Sequence, residues 1–461
     1  MGKIIKKYKK IIIITLLYFL VFSLISCARH YTFQTQTWDL AVFEQSFYNT
    51  VHGKIMFNNF ENGSHFAIHF SPFLFLIVPF YYFWQSPYLL LIIQSLALAL
   101  GAWPLYLYAR KIIGQSAGTL IAGLYLIHPS LQWVNLFDFH AVPFAIPLIF
   151  TAFYFLEEKK YFWTSVFLIF TASVAENMIV AVFFVGIYIL FFKNQKYGAA
   201  VSILSLIYFI LVAKIIMPWF GGGIVRLDRY SQFGGNASEI IINVITQPAL
   251  TWQTIFAWSK FTYLIKLFLP VGFLALLSLD GLILLTPGLL QNLLTNFQLQ
   301  YVNFYQYDSI LIPFIFIGTV IAIAKFQARN QWSKTTTKCL VATAIFAMAW
   351  TSPLSPINFP WKKFIDPKIK DYQKIISLIP PDASVAAQTN LVAHLTHRES
   401  IAMTGEEKTL ADYVIMDSQD LFGFPSQESF DRYLEAYQQT KKYELIEINN
   451  RYYILRKQKN D

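Results

Sequence analysis

The sequence predicts a mainly α-helical, polytopic membrane protein with a small α/β domain at its C-terminal end. Hydrophobic residues make up 56% of the 461 residues, aromatic residues 18% and charged residues only 13%, which is far from the composition of a soluble domain. Long apolar segments recur along residues 1–355, whereas residues 356–461 have an ordinary soluble composition. We therefore divide the chain into a transmembrane domain, 1–355, and a soluble domain, 356–461.

The net charge of +10 belongs to the membrane part of the chain. Residues 1–355 hold 22 Lys and Arg against 11 Asp and Glu, while residues 356–461 hold 14 against 15. A basic excess confined to membrane loops reports orientation, so no nucleic-acid partner is expected. The two cysteines, Cys27 and Cys339, lie at the edges of apolar segments and give no basis for a disulfide framework or a cysteine metal site.

The N-terminal segment has five lysines ahead of an apolar run that ends at Leu24-Ile25-Ser26-Cys27. This ending resembles a bacterial lipoprotein cleavage site, so lipidation of Cys27 is one interpretation. We favour an uncleaved first transmembrane helix, because further apolar segments follow. Both interpretations put the chain from Ala28 onward outside the cytoplasm.

Ten further apolar segments predict, with the first helix, about eleven membrane-spanning helices in the lipid bilayer. Several are shorter than the ~20 residues that cross a bilayer comfortably, so tilted or bent spans are expected. The segments lie at about 88–108, 115–131, 141–156, 161–175, 178–192, 198–217, 262–278, 281–296, 309–325 and 339–353.

The distribution of charge predicts the orientation in the cell membrane, because Lys and Arg concentrate in cytoplasmic loops. A cytoplasmic N-terminus gathers 15 of the 22 basic residues of the membrane part on the inside. An odd number of spans then leaves the C-terminal domain extracytoplasmic. The same assignment puts eight of the 11 acids and all eight histidines outside, so proton-handling chemistry is expected on that face.

The first outer loop, at about residues 28–87, begins with the stretch WDLAVFEQSF. In a helix, Asp39 and Glu44 share roughly one face with Phe47 and form an acidic patch in an apolar collar. The alternative is a helix cap, in which Asp39 accepts backbone N–H groups and Glu44 is solvated. On these residues alone both interpretations stay open.

Later in this loop, residues 73–84 are rich in aromatic side chains and too short to span a membrane. This composition predicts a helix lying at the membrane interface. Pro72 suits its first turn, and Pro79 is expected to bend it.

Glu61, His65 and His69 are spaced by four residues, which would align them on one helical face. Two histidines and a carboxylate are a known ligand set for a catalytic metal. The intervening Asn62-Gly63-Ser64 disfavours a helix, so a hydrogen-bonded loop is the alternative.

Two outer turns contain further candidates for the site. Asp138 and His140 lie at the outer end of the third span, and Glu176 lies in a tight turn between two short spans. Acids at such depth are costly unless paired or hydrated, so they often line a cavity. The alternative is structural: a local turn for Asp138 and His140, and a helix cap for Glu176.

Arg226 and Arg229 lie beside flexible glycines in the fourth outer loop. Paired arginines suit a phosphate group. Solvated surface arginines are the alternative.

The soluble domain has clear helix and strand signals. KYELIEINNRYYILRK alternates apolar and polar residues around Asn449-Asn450, a hairpin signature. Amphipathic helices are predicted over 367–379 and around 426–439, and strands over 382–388, 399–403 and 411–417. No nucleotide-binding loop and no internal repeat is found.

The chain resembles an uncharacterised prokaryotic membrane family that is labelled a domain of unknown function. The resemblance rests on WDLAVFEQSFYNTVHGK, then HFSPFLFLIVPFYYFWQSPYLLLIIQSLALALGAWPLYLYARKIIG, then LYLIHPSL and FDFH. It extends through the tail, in IPPDASVAAQTNLVAHLTHR and ADYVIMD.

That family in turn resembles the GT-C membrane glycosyltransferases, such as the protein mannosyltransferase and aminoarabinose transferase groups. Those enzymes have an essential acid in the first outer loop, then a His-Pro-like turn, an interfacial helix, a span ending in a basic pair, and a later Pro. This sequence has Asp39 at the acid position, the turn at residues 69–72, the basic pair at 110–111, and Pro129.

The resemblance implies a polyprenyl-phosphate-linked sugar donor and transfer on the outer face to a glycan, lipid or protein acceptor. Asp39 is the candidate base that takes the proton of the acceptor hydroxyl, and Glu44 is a supporting, hydrogen-bonding acid. We expect the catalytic set to converge around one outer-facing cavity: Asp39, Glu44, His69, Asp138, His140 and Glu176. Arg226, Arg229 or a histidine would stabilise the leaving phosphate. In this chain Leu40, not a second acid, follows Asp39, so metal dependence stays open and a divalent metal is the one candidate cofactor.

Two other functions stay open. A transporter or lipid flippase should contain internal repeats and charges near mid-span, whereas the acids here cluster at loop edges. A non-catalytic assembly factor would bind partners through its tail and use the membrane part as a scaffold.

Overall fold

The computed structural model describes residues 2–405 and 409–458, with side chains from Tyr8 onward. Most of the described chain is helical. The helices before the tail are α1 Gly2–Tyr31, α2 Val42–Val51, α3 Val78–Phe83, α4 Pro87–Leu100, α5 Ala102–Ile113, α6 Gln115–Leu126, α7 Pro129–Leu136, α8 Ala145–Glu157, α9 Tyr161–Ala172, α10 Glu176–Phe192, α11 Gln195–Leu211, α12 Met217–Trp219, α13 Ala237–Thr246, α14 Pro248–Ile255, α15 Trp258–Phe268, α16 Leu279–Leu293, α17 Ile312–Ala328 and α18 Lys334–Thr351.

The tail contains four further helices and a five-stranded sheet, and a two-stranded ribbon lies in the first loop. The ribbon is β1 Phe57–Asn58 and β2 Gly63–Ser64, and the tail elements are α19 Trp361–Phe364, α20 Lys368–Ser377, β3 Val385–Ala387, α21 Thr389–Val392, β4 Ile401–Met403, β5 Tyr413–Asp417, α22 Gln427–Gln438, β6 Tyr443–Ile448 and β7 Tyr452–Lys457.

Three helices of the described chain are long and apolar enough to cross a membrane, namely Tyr8–Tyr31, Pro87–Ile113 and Gln195–Trp219. Five shorter apolar helices are Val142–Glu157, Tyr161–Ala172, Glu176–Phe192, Ala237–Thr246 and Ile312–Ala328. The predicted class, a helical protein with several membrane spans, is thus confirmed. The count of eleven spans remains a prediction.

Two of the predicted spans are broken next to a proline. The segment predicted at 115–131 splits into α6 and α7 because Pro129, with no N–H to donate, occupies the first turn of α7. The segment predicted at 262–278 leaves α-helical geometry after Phe268, where Pro270 is followed by Gly272 at a φ of +59°.

The predicted interfacial segment forms two short helical pieces, a 3₁₀ turn at Pro72–Leu76 and then α3. Pro79 stands in the first turn of α3 and therefore begins this helix rather than bending it. Tyr81 is fully buried, while Phe80, Tyr82 and Phe83 are 62%, 63% and 87% exposed. Such a one-sided apolar surface suits a membrane interface, and the position of α3 along the membrane remains a prediction.

The sheet of the tail has the order β4-β3-β5-β7-β6. β3 pairs in parallel with β4 and β5, whereas β7 runs antiparallel to β5 and β6. Asn449 and Asn450 have φ values of +55° and +49°, as the predicted hairpin turn requires. The predicted strands and both predicted amphipathic helices of the tail are confirmed.

The tail packs directly on the first loop. Phe33 and Ala41 are buried in the same hydrophobic cluster as Tyr372, Leu391 and other tail residues. The backbone N–H of Thr37 donates to Oγ1 of Thr389 at 3.0 Å. The segment that carries Asp39 is therefore held between the helical bundle and the tail.

Candidate functional site

Asp39 is paired with His140 across the first loop. Asp39 lies in a π-helical turn, Thr37–Ala41, that leads into α2. Its Oδ1 is 2.9 Å from Nε2 of His140, and the two side chains are 14% and 8% exposed. The other ring nitrogen of His140, Nδ1, is buried with no hydrogen-bond partner among the described residues. The pair thus joins a carboxylate to an imidazole in a mostly dry environment.

The turn that carries Asp138 and His140 is fixed by Gln94 of α4. Gln94 is fully buried; its Nε2 donates to the carbonyl of Asp138 at 2.7 Å, and its Oε1 accepts from the N–H of His140 at 2.8 Å. Asp138 has a φ of +47°, a conformation that Asp adopts more readily than most residues. Gln94 therefore sets where His140 stands relative to Asp39.

The carboxylate of Asp138 lies in the same cluster. Its Oδ2 accepts from the N–H of Gln36 at 2.8 Å. Burial, and next the negative charge of Asp39, raise the pKa of Asp138 above its usual range, although Arg29 opposes the rise. A buried carboxyl group whose pKa is raised beside a second carboxylate is a common feature of acid–base sites.

The helix-cap alternative for Asp39 is wrong. The N-cap residue of the π-helical turn is Gln36, and the N-cap residue of α2 is Ala41. Neither N-terminus has a capping hydrogen bond from a side chain. Asp39 instead contacts the imidazole of His140. Its position is explained by a side-chain partner distant in sequence rather than by local helix capping.

Aromatic side chains enclose the Asp39–His140 pair. Phe137 stacks on His140 with ring centroids 5.4 Å apart and an interplanar angle of 17°. Tyr305 meets Phe137 edge-on at 4.5 Å. Burial, followed by the charge of Asp39, raises the pKa of Tyr305. Tyr305 was missed in the sequence, because nothing in its local pattern connects it to a loop far earlier in the chain.

A second group of polar residues is built around two histidines. Nδ1 of His65 is 2.9 Å from Oε2 of Glu61, and Nδ1 of His69 is 2.9 Å from Oε1 of Glu176. The N–H of Phe70 donates to Oε2 of Glu176 at 3.2 Å. Each imidazole is thus oriented by its own carboxylate.

Charges within this second group of residues shift the pKa values of His69 and Glu61. Burial lowers the pKa of His69, but the carboxylates of Glu176 and Glu61 outweigh it, so the pKa of His69 lies above its usual value. Burial raises the pKa of Glu61, but His65 and Asn58 outweigh it, so the pKa of Glu61 lies below its usual value. His69 is therefore a candidate cation near neutral pH.

Phe43 lies between the two groups. Its ring centroid is 4.8 Å from that of His65 and 5.9 Å from that of His140. The rings of His65 and His69 are 5.8 Å apart. Asp39, Asp138 and His140 thus form one cluster, and His69 with Glu176 forms a neighbouring one across a single aromatic ring.

The proposed metal ligands do not align on one helix. His65–Ala67 is a single 3₁₀ turn, and the Glu61 carboxylate is bonded to His65 itself. Across the described residues, no three His, Cys, Asp or Glu side chains come together as a metal site. Nε2 of His65 is buried without a partner in this part of the chain. A metal bound by Glu61, His65 and His69 remains a prediction.

Glu44 faces different partners from those of Asp39. It is fully buried, and its Oε1 accepts from the hydroxyl of Tyr81 at 2.6 Å and contacts Nε2 of His397 at 2.5 Å. His397 stacks on Tyr48 at 4.8 Å. Glu44 therefore joins α2, the aromatic helix α3 and the tail.

The two arginines occupy different environments. Arg226 is exposed and has a φ of +66°. Its positive charge partly opposes the rise in the pKa of His69 that the two carboxylates cause. The N–H of Gly223 donates to the carbonyl of Ala67 at 3.1 Å, which brings this loop against the turn that precedes His69. Arg226 is thus close to the second group of polar residues.

Arg229 is held by aromatic residues and an amide. Its guanidinium carbon lies 4.2 Å from the ring centroid of Phe297 and 5.3 Å from that of Tyr307. Its Nη1 donates to Oε1 of Gln300 at 3.2 Å. Tyr307 is two residues from Tyr305, so one loop contacts both Arg229 and the wall of the Asp39–His140 pair.

Comparison with solved structures identifies the fold. ArnT from Cupriavidus metallidurans bound to undecaprenyl phosphate matches with a TM-score of 0.53 at 10% identity, over 95% of this chain and 97% of that one. The apo oligosaccharyltransferase of Archaeoglobus fulgidus matches with a TM-score of 0.45 at 12% identity, over 91% and 72%. The same organism's AglB, in complex with an inhibitory peptide and a dolichol-phosphate, gives 0.44 at 12% identity, over 90% and 70%.

The similarity to ArnT, at 10% identity, shows a shared fold and agrees with the resemblance found in the sequence. No curated protein matches the sequence significantly. A family model described as "Predicted membrane protein (DUF2079)" matches residues 29–458. The chain therefore belongs to the DUF2079 family of membrane proteins, and its fold is similar to that of ArnT.

Proposed function

We propose that this protein is an integral-membrane glycosyltransferase that moves a hexose or pentose from a polyprenyl-phosphate-linked donor to an acceptor hydroxyl on the extracytoplasmic face. The observation that carries the proposal is the similarity to ArnT over nearly the full length of both chains. In that structure ArnT holds undecaprenyl phosphate, a polyprenyl phosphate. The same class of lipid is therefore our choice of donor carrier.

Asp39 is the proposed catalytic base. As the acceptor oxygen bonds to the anomeric carbon, its proton passes to the Asp39 carboxylate, and the bond between that carbon and the phosphate oxygen breaks. Polyprenyl phosphate leaves with the bonding electrons. Attack opposite the leaving phosphate inverts the anomeric centre. His140, 2.9 Å from Oδ1 of Asp39, orients the carboxylate so that Oδ2 can receive the proton.

Asp138 has a supporting role in this proposal. Because its pKa is raised, it carries less negative charge near neutral pH than an ordinary aspartate. Asp138 therefore need not place a second full negative charge beside the proposed base.

The leaving phosphate needs positive charge or N–H donors. His69, with its raised pKa, and the exposed Arg226, whose charge acts on His69, are the proposed partners of the phosphate. Arg229 is the third candidate, although its guanidinium is already engaged by Phe297 and Gln300. We assign Glu44 no step in the chemistry, since its side chain is fully buried and its Oε1 is held by Tyr81 and His397.

The proposal includes the predicted topology. With eleven spans and a cytoplasmic N-terminus, Asp39, His69 and the tail all lie on the extracytoplasmic face. This agrees with the tail packing on the loop that contains Asp39.

The test is a transfer assay with protein in lipid nanodiscs. A panel of labelled undecaprenyl-phosphate sugars is offered with membrane extract as the acceptor source, and both transferred label and released lipid phosphate are measured, with and without EDTA. We expect wild type to use at least one donor, and Asp39→Asn to lose about 100-fold or more of that rate.

The matched control is Asp228→Asn, at an exposed aspartate that follows the glycines of the same outer face. It should leave transfer unchanged. Wild type inactive with every donor, or an Asp39→Asn variant as active as wild type, would refute the proposal. If EDTA abolishes transfer and Mg²⁺ or Mn²⁺ restores it, the proposed mechanism also includes a metal ion.

A further inference from the structure

Two apolar grooves lie side by side at the end of the bundle where α5 meets α6 and α17 meets α18. The first has a volume of about 620 Å³ and a polar rim that includes Gln115, Gln327 and Thr337. Its lining includes Ile113, Leu120, Ile121, Ile323 and Val341. The second, of about 470 Å³, is lined by residues such as Leu274, Phe326 and Leu340.

Trp332 lines both grooves and is the residue that their linings share. It precedes α18, whose first turns contribute Thr337 to the first groove and Thr336 to the second. Further along α18, Ile345 and Phe346 are 58% and 60% exposed. An apolar exposed face on a helix of a membrane protein indicates contact with lipid, so both grooves flank a helix with a lipid-facing surface.

The electrostatics at this end of the bundle are unbalanced. Its three acids are each paired with a lysine: Glu158 with Lys111 at 2.6 Å, Glu157 with Lys193, and Asp280 with Lys325. The neighbouring Arg329, Lys334 and Lys338 are exposed and form no ion pair within the described chain. This leaves uncompensated positive charge beside the grooves.

Lys334 and Lys338 share a helix face with two residues that line the first groove. Lys334 precedes Thr337 by three residues, and Lys338 precedes Val341 by three, so all four lie on one face of α18. Thr337 and Val341 line the first groove. The two lysines therefore lie on the face of α18 that borders the first groove, where their positive charge complements an anion.

We propose that the two grooves bind one anionic diacyl phospholipid of the bilayer, such as phosphatidylglycerol. One acyl chain occupies each groove on either side of Trp332, and Lys334 and Lys338 hold the phosphate. Basic pockets between membrane helices are a known mode of anionic headgroup recognition. The site is separate from the Asp39–His140 pair and does not depend on the proposed transfer reaction.

The test measures lipid retention by native mass spectrometry and thermal unfolding. Full-length protein is exchanged into mixed micelles with phosphatidylglycerol or phosphatidylcholine of the same chains. We expect one retained phosphatidylglycerol and a higher melting temperature with that lipid. In the double variant Lys334→Gln/Lys338→Gln the preference should fall roughly 30-fold, as two lysine contacts predict.

The control is Lys159→Gln/Lys196→Gln, which removes the same charge from exposed lysines that line neither groove. It should keep the preference. A second variant, Ala117→Trp, fills the first groove at a partly exposed position and should prevent retention without unfolding the protein. Equal retention of both lipids, equal loss in the control, or displacement of phosphatidylglycerol by undecaprenyl phosphate at equal concentration would overturn the proposal.

Discussion

His140 lies 2.9 Å from the carboxylate of Asp39, although 101 residues separate them in the sequence. The contact depends on two unrelated local features: a π-helical turn at Thr37–Ala41 and a turn held by both ends of the Gln94 amide. Since each partner is fixed by its own turn, the carboxylate is oriented before any substrate binds. Such preorganisation is what a catalytic base requires.

The first prediction concerns His140 as a positioning residue. His140→Gln keeps a side-chain N–H but changes its reach, so Asp39 should lose its orientation and transfer should fall about 100-fold. Because Gln does not titrate, the pH dependence of kcat/KM should also change shape between pH 5 and 9. Kinetics with the donor found for wild type measure both.

The control for His140 is His52→Gln, at an exposed histidine of the same loop whose Nδ1 contacts the carbonyl of Tyr48. It should leave both rate and pH profile unchanged. A His140→Gln variant with a lower melting temperature but an unchanged pH profile would indicate a structural role alone.

Much of the fold was predictable because its signals are local. The hairpin of the tail was found from Asn449-Asn450, since a tight turn with positive φ at two positions favours these residues. The aromatic segment at 73–84 was found from composition and length, and it contains α3. The break at Pro129 was missed because apolar periodicity continues across it.

The partners within the site were harder to predict, because they depend on contacts between distant segments. The sequence alone suggested one acidic patch for Asp39 and Glu44, but positions five residues apart lie about 140° apart around an α-helix. In the structure Asp39 stands in a π-helical turn that leads into α2, and Glu44 stands in the first turn of α2. Asp39 therefore contacts His140, while Glu44 contacts Tyr81 and His397. No local pattern indicates a π-turn or a partner in the tail.

The second prediction concerns topology. A periplasmic-type reporter such as alkaline phosphatase, fused to the C-terminal end, should be active only outside the cytoplasm, because the lysine distribution leaves an odd number of spans. A fusion in the loop between α17 and α18, beside Arg329, should be inactive in the same assay. Activity in the loop fusion and not in the tail fusion would reverse the orientation and put Asp39 on the cytoplasmic face.

The third prediction is a pH dependence caused by His69. Its folded pKa is raised, so the pair with Glu176 contributes stability that is fully present below the unfolded pKa of about 6.5 and is lost as the pH rises through the folded pKa. His69→Gln should therefore lower the melting temperature more at pH 6 than at pH 9.5. The side chain is 43% exposed, so solvent screens the pair and the difference should be modest.

The matched control for His69 is His52→Gln, measured at the same two pH values. Its melting temperature should follow wild type at both. A His69→Gln variant that is destabilised equally at pH 6 and pH 9.5 would show that the ion pair with Glu176 is not what the imidazole contributes.

The last prediction concerns Glu44, which the structure separates from the proposed chemistry. Tyr81 is fully buried, and its hydroxyl donates to Oε1 of Glu44 at 2.6 Å. Glu44→Ala removes the carboxylate that both Tyr81 and His397 contact and leaves these two side chains only their mutual contact at 3.1 Å, so unfolding should become easier by about 1–3 kcal/mol. The tail should also detach more often, which exposes the link between α18 and α20 to trypsin at Lys362 and Lys363.

Two variants make this prediction specific. Tyr81→Phe removes the other side of the same contact, so Glu44→Ala and Tyr81→Phe should be less than additive in a double-mutant cycle. Glu399→Ala removes an acid that is 85% exposed and paired with Lys54 at 2.9 Å in the same interface, and it should change neither melting temperature nor cleavage rate. If Glu44→Ala instead reduces transfer about 100-fold with unchanged stability and cleavage, Glu44 acts on the substrate as a supporting acid, and its contact with the tail is incidental.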